Sequence, residues 1–200
     1  MLFLSIIAPI LRVDAVWKSY RGTFENLGHA NNASIVGPGS DAYLLWQFTG
    51  ESSAGFVGSP AITSDNIAII GDLEGRVYGL DISTGTVLWT TTGIGEYLSA
   101  SPTLNADESS VYVSGYVPST NSAIEATINP RTGEVKVQYL IPDMPPGGGT
   151  SAFSSFALYT PPDSDDLLAI CAYGDKIYAF HTTDYYDPAT GDHYHPGWLK

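Results

Sequence analysis

GRVYGLDISTGTVLW, residues 75–89, reads as a strand, a tight turn and a second strand ending on tryptophan. Arg76 to Asp81 is a short β-rich run, and Asp81 can bond backbone amides within the turn that follows. Thr84 can do the same more weakly, and Gly85 supplies the left-handed conformation that the reversal needs. Trp89 ends the hairpin with a large flat surface suited to covering a neighbouring sheet.

The turn is repeated. Asp81-Ile82-Ser83-Thr84-Gly85 matches Asn129-Pro130-Arg131-Thr132-Gly133 and Asp187-Pro188-Ala189-Thr190-Gly191, with the glycines 48 and then 58 residues apart. Trp46 and Trp89 stand 43 apart, and Ser59-Pro60 recurs as Ser101-Pro102 after 42. Periods of about 40–50 residues belong to propeller blades, each a small antiparallel sheet of four strands. Strand runs fall where such units need them: 66–71 and 76–81, then 110–118 and 122–129 around a polar loop at Ser119–Asn121, then 166–174 and 176–181. No stretch carries sustained helical periodicity. The pattern predicts an all-β chain of incomplete propeller, about three four-stranded blades plus an N-terminal partial one. The units run over about 43–89, 90–139 and 150–200, with a Pro/Gly-rich connection at 142–150 that reads as a surface link.

Composition agrees. The 200 residues are 44 % hydrophobic and 14 % charged, with 21 Gly, 13 Pro and 13 Tyr, which suits short strands and many turns. A net charge of −13 would repel a phosphate backbone or an anionic lipid surface, so nucleic acid is not an expected partner. Residues 1–15 hold an apolar run, Leu2 to Leu11, followed by Val13-Asp14-Ala15, and read as a cleaved secretory signal. Ten apolar residues cannot span a bilayer, and the competing reading is a buried first strand. Asn32-Ala33-Ser34 is a glycosylation sequon, meaningful in a eukaryotic secretory pathway. These features point to a secreted or lumenal protein, periplasmic in a bacterium. Cys171 is the single cysteine, so no intrachain disulfide is possible.

Gly79 to Trp89 resembles the eleven-residue tryptophan-docking motif Ala-x-Asp-x-x-Thr-Gly-x-x-x-Trp of the pyrroloquinoline-quinone-like (quinoprotein alcohol dehydrogenase-like) β-propeller repeat family, with Gly79 in place of the alanine. Trp17-Lys18-Ser19-Tyr20-Arg21-Gly22 and Leu45-Trp46-Gln47-Phe48-Thr49-Gly50 are similar to the entry segment of such proteins. The second copy departs, with Thr127 for the alanine and Val137 for the tryptophan; in the third, His195 stands where Trp is expected and Trp198 lies beyond. Members of the family commonly have seven or eight blades, so three copies read as a fragment, a truncated gene product or an arc completed by other chains.

The resemblance implies a quinone and a calcium ion in the enzymatic members, with an aspartate base and often two adjacent cysteines. Cys171 sits between Ile170 and Ala172, and no acid here can be matched to the calcium ligands or the base. No cofactor is expected for this chain alone. His181, His193 and His195, with Asp187 nearby, form a weak candidate metal cluster, better read as a polar aromatic loop. Asp163, Asp165 and Asp166 lack the glycine and terminal glutamate of a calcium loop and read as a solvated turn. Gly37-Pro38-Gly39-Ser40-Asp41-Ala42 fits a loose dinucleotide pattern without a strand and helix around it. No nucleophile-elbow, zinc-protease or phosphate-loop sequence is present, and the repeated Asp81, Asn129 and Asp187 read as structural. The leading reading is a non-catalytic scaffold that contacts protein partners or the remaining blades. The alternative is the N-terminal part of a quinone-dependent oxidoreductase.

Overall fold

The computed structural model describes Lys18 and residues 44–51, 53, 55–141, 154–162, 167–173, 176–182, 185–187 and 192–194. Four antiparallel strands, β1 (Ala61–Ile62), β2 (Ile67–Gly71), β3 (Val77–Asp81) and β4 (Val87–Thr91), form the first sheet in sequence order. Its final turn is built by Asp81, whose Oδ1 accepts from the amides of Ser83 (2.8 Å) and Thr84 (3.0 Å) and from the Thr84 hydroxyl (3.2 Å). Gly85, at φ 72°, closes the turn by donating to the Asp81 carbonyl at 2.8 Å. A register shift between Gly79 and Leu80 lets the strands turn this corner.

The second sheet repeats these features with different side chains. It contains β5 (Thr103–Leu104), β6 (Val111–Val117), β7 (Ser122–Ile128) and β8 (Val135–Ile141), again in sequence order. Asn129 Oδ1 accepts from Arg131 N at 2.9 Å, Gly133 (φ 75°) donates to the Asn129 carbonyl at 2.9 Å, and the register shifts between Thr127 and Ile128. The polar loop between β6 and β7 is one 3-10 turn, Pro118–Thr120, ended by Asn121 in the left-handed region. An amide and a carboxylate can both serve the turn, because each offers a side-chain acceptor oxygen there.

The third sheet departs from the four-strand expectation. Among the described residues it has three strands, β9 (Ala157–Tyr159), β10 (Leu168–Tyr173) and β11 (Lys176–His181), in the order β11-β10-β9. The third turn copy falls instead between β12 (Tyr185–Asp187) and β13 (Asp192–Tyr194), a separate pair with Asp187 opposite Asp192. Thr190, Gly191, His195 and Trp198 lie outside the described residues, as do 1–15, Asn32, 37–42 and the 142–150 connection. The described chain is therefore all-β, three small antiparallel sheets resembling partial propeller blades, and no described helix is long and apolar enough to cross a membrane.

Two tryptophans join the elements by one geometry. The Trp89 ring lies where a Cβ on Gly133 would be 2.6 Å away, and its Nε1 donates to the Pro130 carbonyl at 3.1 Å. The Trp46 ring lies where a Cβ on Gly85 would be 2.6 Å away, and its Nε1 donates to the Ile82 carbonyl at 2.7 Å. Trp89 is also pressed on Gly79 of its own sheet, where a Cβ would come within 2.2 Å, so the glycine in place of alanine is required by this packing. Between the first two sheets Ile67, Ile69 and Val77 meet Val111, Val113, Ala126 and Ile128; between the second and third, Tyr112, Tyr116 and Ala123 meet Ala169, Cys171, Tyr173 and Phe180. Trp89→Ala should destabilise the chain by about 3–5 kcal/mol in urea unfolding, the cost of truncating a large buried aromatic. A loss below about 1 kcal/mol would contradict the joining role.

Candidate functional site

The polar groups with chemical potential gather at the junctions between sheets. Asp72, 1 % exposed, accepts at Oδ1 from the amides of Glu74 and Arg76 (both 2.9 Å) and at Oδ2 from the Tyr78 hydroxyl (3.0 Å). It organises the β2–β3 turn from inside. Glu108, buried at φ 57°, accepts from the amide (2.9 Å) and hydroxyl (2.7 Å) of Ser64 in the first sheet. Lys18 Nζ stands 3.5 Å from Glu108 Oε1, and Arg131 donates to the Glu108 carbonyl at 2.7 Å while pairing with Asp65 at 2.8 Å. These charges tie the first sheet's β1–β2 turn to the second sheet. Asp81 is held below the usual carboxylate range chiefly by the Ser83 amide, a consequence of the turn and not of any reacting group.

The repeated serines form a relay across all three sheets. Ser59 N donates to Ser101 Oγ at 2.8 Å, and Ser101 N donates to Ser155 Oγ at 3.1 Å. Ser59 and Ser101 stand out in the sequence through the prolines that follow them; Ser155 is followed by Phe156 and escapes that signal.

One junction holds an unmatched acid. Glu125 on β7 faces the third sheet, 5 % exposed, where the Cys171 thiol donates to its Oε1 at 3.6 Å and Oε2 has no partner. Burial pushes the Glu125 carboxyl well above its ordinary value, and burial followed by the nearby carboxyl pushes the Cys171 thiol up as well. Beside them lies a cavity of about 20 Å³ lined by residues including Thr127, Val137, Phe156, Phe180 and His181. Thr127 and Val137 occupy the places that Gly79 and Trp89 hold in the first sheet, so this gap is where the second copy lacks its indole. It has room for about one water.

Of the candidate metal residues, only His181 and the backbone position of His193 fall within the described residues. His181 lines that cavity from the end of β11, His193 stands on β13 opposite Tyr186, and Asp163 and Asp165 lie outside the described residues. Among the described residues no three His, Cys, Asp or Glu side chains converge as a metal site. At the Glu125–Cys171 junction the described groups do not fit a quinone, because the space there holds about one water, far short of a tricyclic cofactor.

Comparison with known proteins gives structural likeness alone. No family model and no curated protein matches the chain. The resemblance is to pyrroloquinoline-quinone-like β-propellers, at low identity. The crystal structure of BamB from Moraxella catarrhalis matches with a TM-score of 0.47 and 21 % identity, over 68 % of this chain and 37 % of that one. The quinohemoprotein alcohol dehydrogenase of Comamonas testosteroni matches with a TM-score of 0.41 and 12 % identity, over 92 % and 41 %. The quinohemoprotein alcohol dehydrogenase ADHIIG of Pseudomonas putida HK5 matches with a TM-score of 0.40 and 17 % identity, over 60 % and 24 %. The chain thus spans between 24 % and 41 % of the length of these structures.

Glu125 makes the chain's stability pH-dependent with a definite sign. Burial raises the carboxyl's folded-state value, whereas the unfolded chain ionises it from about 4.5, so stability falls as pH rises from there toward the folded-state value. Glu125→Gln should raise the melting temperature at neutral pH and lose that advantage at about pH 4 and below, as measured by thermal unfolding across pH. An equal effect at both ends would mean the carboxyl is ionised in place. Cys171 should resist thiol reagents in the native chain and react fully once it is unfolded; rapid native labelling would contradict its burial.

Proposed function

We propose that the chain is a non-catalytic β-propeller scaffold whose work is protein contact. The observation that carries this reading is a division of labour among side chains. Asp72, Asp81, Glu108 and Asn129 are spent on hydrogen bonds inside the fold, while Leu44, Leu45, Val57 and Ile177 stand 64–78 % exposed. Exposed apolar side chains that gather into one patch mark contact sites, and Leu44 and Leu45 are adjacent in the chain. In this reading Trp46 and Trp89 act as the family's docking tryptophans, and Asp81, Thr84, Gly85, Asn129, Thr132 and Gly133 as the turn frame they dock on.

A second reading, part of a quinone-dependent oxidoreductase, draws on the fold alone, and the fold does not carry the chemistry. The two are separated by incubating the full chain with pyrroloquinoline quinone, calcium and a primary alcohol and following reduction of an electron-accepting dye. The scaffold reading expects no quinone-dependent turnover, and saturable turnover would overturn it.

We further propose that residues 1–15 direct the chain into the secretory pathway, where Asn32 receives a glycan. Expressed in a eukaryotic cell, the mature protein should begin near residue 16 and shift in mass on deglycosylation. An unglycosylated cytosolic product starting at Met1 would contradict this.

A further inference from the structure

The two junctions between sheets differ in chemistry at one matching place. Turn and strand register carry Gly71 and Val77, paired across β2 and β3, onto Ser114 and Glu125, paired across β6 and β7. At the first junction that place is apolar. Val77 is fully buried, and Leu98 covers Gly71 so closely that a Cβ there would come within 2.8 Å of the Leu98 Cβ. At the second junction the same place holds a hydroxyl and a carboxyl.

Both are buried with an unmet oxygen. Ser114 is 1 % and Glu125 5 % exposed, and neither Ser114 Oγ nor Glu125 Oε2 has a hydrogen-bond partner. Alternation along β6 sets Ser114 between Tyr112 and Tyr116, which face the third sheet, so the hydroxyl shares that face with the carboxyl. Across the junction the carboxyl receives the Cys171 thiol, a weak donor, at 3.6 Å.

A charge here has little to answer it. Around the carboxyl stand Tyr97 ahead of β5, Tyr112 and Tyr116 on β6, Cys171 and Tyr173 on β10, and Tyr178 and His181 on β11, while Tyr139 is its register partner on β8. Of these residue types only the imidazole of His181 can carry positive charge. Lys176, at the start of β11, is exposed. The adjoining cavity has room for about one water, less than the hydration shell of an ion. A carboxylate formed in this place must therefore draw water in by parting the surfaces that exclude it.

The first junction is fastened independently of that place. Glu96 and Tyr116 exchange backbone bonds at 2.8 Å each way, Trp89 Nε1 reaches the Pro130 carbonyl, and Glu108 accepts from both Ser64 donors. Toward the third sheet, Ser101 N reaches Ser155 Oγ at 3.1 Å and Thr103 Oγ1 reaches the Phe156 carbonyl at 3.2 Å, both ahead of β9. Strands β10 and β11 lie on β6 and β7 through side chains of the aromatic cluster around Glu125.

We propose that Glu125 is a pH-operated release for the third sheet: its ionisation undocks β9, β10 and β11 from the second sheet while the first two sheets stay joined. Opening uncovers Tyr112 and Tyr116 on one side and Cys171 and Phe180 on the other, an apolar surface that the closed chain hides. The closed form holds the Glu125 proton more tightly than the open form, which gives it up to solvent from about pH 4.5. One proton released on opening makes the opening constant rise by up to about tenfold per pH unit over that window. The release stands apart from the scaffold reading and needs no partner.

The test is amide hydrogen exchange of the full chain from pH 5 to 8, corrected for intrinsic exchange rates and resolved by peptide, in wild type and Glu125→Gln. The glutamine keeps an acceptor for the Cys171 thiol but cannot ionise. In wild type the protection of β10 and β11 should fall by up to about tenfold per pH unit while that of β2 and β3 holds, since separate units of a fold open separately. In Glu125→Gln the protection of β10 and β11 should stay level. A wild-type third sheet whose protection does not change with pH, or one that changes in step with β2 and β3, would overturn the proposal without recourse to the variant. An unchanged slope in Glu125→Gln would also overturn it, assigning the effect to His181 or the tyrosines instead.

Discussion

An indole ring laid on a glycine is the contact on which the rest of this chain depends. A single small sheet has two faces and cannot bury both, so it needs a neighbour at a fixed offset. Trp89 sets that offset by resting between Gly79 and Gly133, with its N–H bound to the Pro130 carbonyl and Thr91 donating to the Gly133 carbonyl. Once the ring is seated, Ile69 and Val77 are carried onto Val111 and Val113. Each turn is therefore a receptor as well as a corner, and its acid or amide acts at one remove by holding the glycine in the left-handed conformation.

Where the indole is missing, the fold compensates imperfectly. Val137 and Thr127 leave a small gap at the second junction, and Phe156, Phe180 and the Glu125–Cys171 pair surround it. An unmet carboxyl oxygen in such a place costs about 1–3 kcal/mol even when the group is neutral. The cavity lies where Val137 stands in place of a tryptophan, and burial beside it raises the Glu125 carboxyl.

The sequence disclosed what is local. Asp81, Thr84 and Gly85 act within five residues, and turn chemistry of that range is visible in a row of letters. The recurrence of Trp46 and Trp89 indicated stacking, though not that each ring sits on the turn glycine of the following sheet. Contacts spanning sheets were not legible: Glu125 and Cys171 lie 46 apart, Ser64 and Glu108 lie 44 apart, and neither pair shares a motif. Glu125 left a faint trace as the lone charge in Ser122–Ile128, at an inward position of an otherwise uncharged strand. In the third unit only Asp187 of the turn copy is described, on β12 and apart from the sheet of β9, β10 and β11. The turn acids Asp72 and Asp81 are bonded to amides of their own turns.

The most direct measurement compares two glycine substitutions in urea. Gly93 (φ 82°) has open space around a would-be Cβ, so Gly93→Ala reports only the left-handed backbone cost, roughly 1–2 kcal/mol. Gly133 (φ 75°) has the Trp89 ring at 2.6 Å, so Gly133→Ala should lose that cost and the seat of the indole together. If the ring-on-glycine contact joins the sheets, Gly133→Ala will exceed Gly93→Ala by about 1–3 kcal/mol, the cost of forcing a methyl group into a filled site. Equal losses for the two would contradict it.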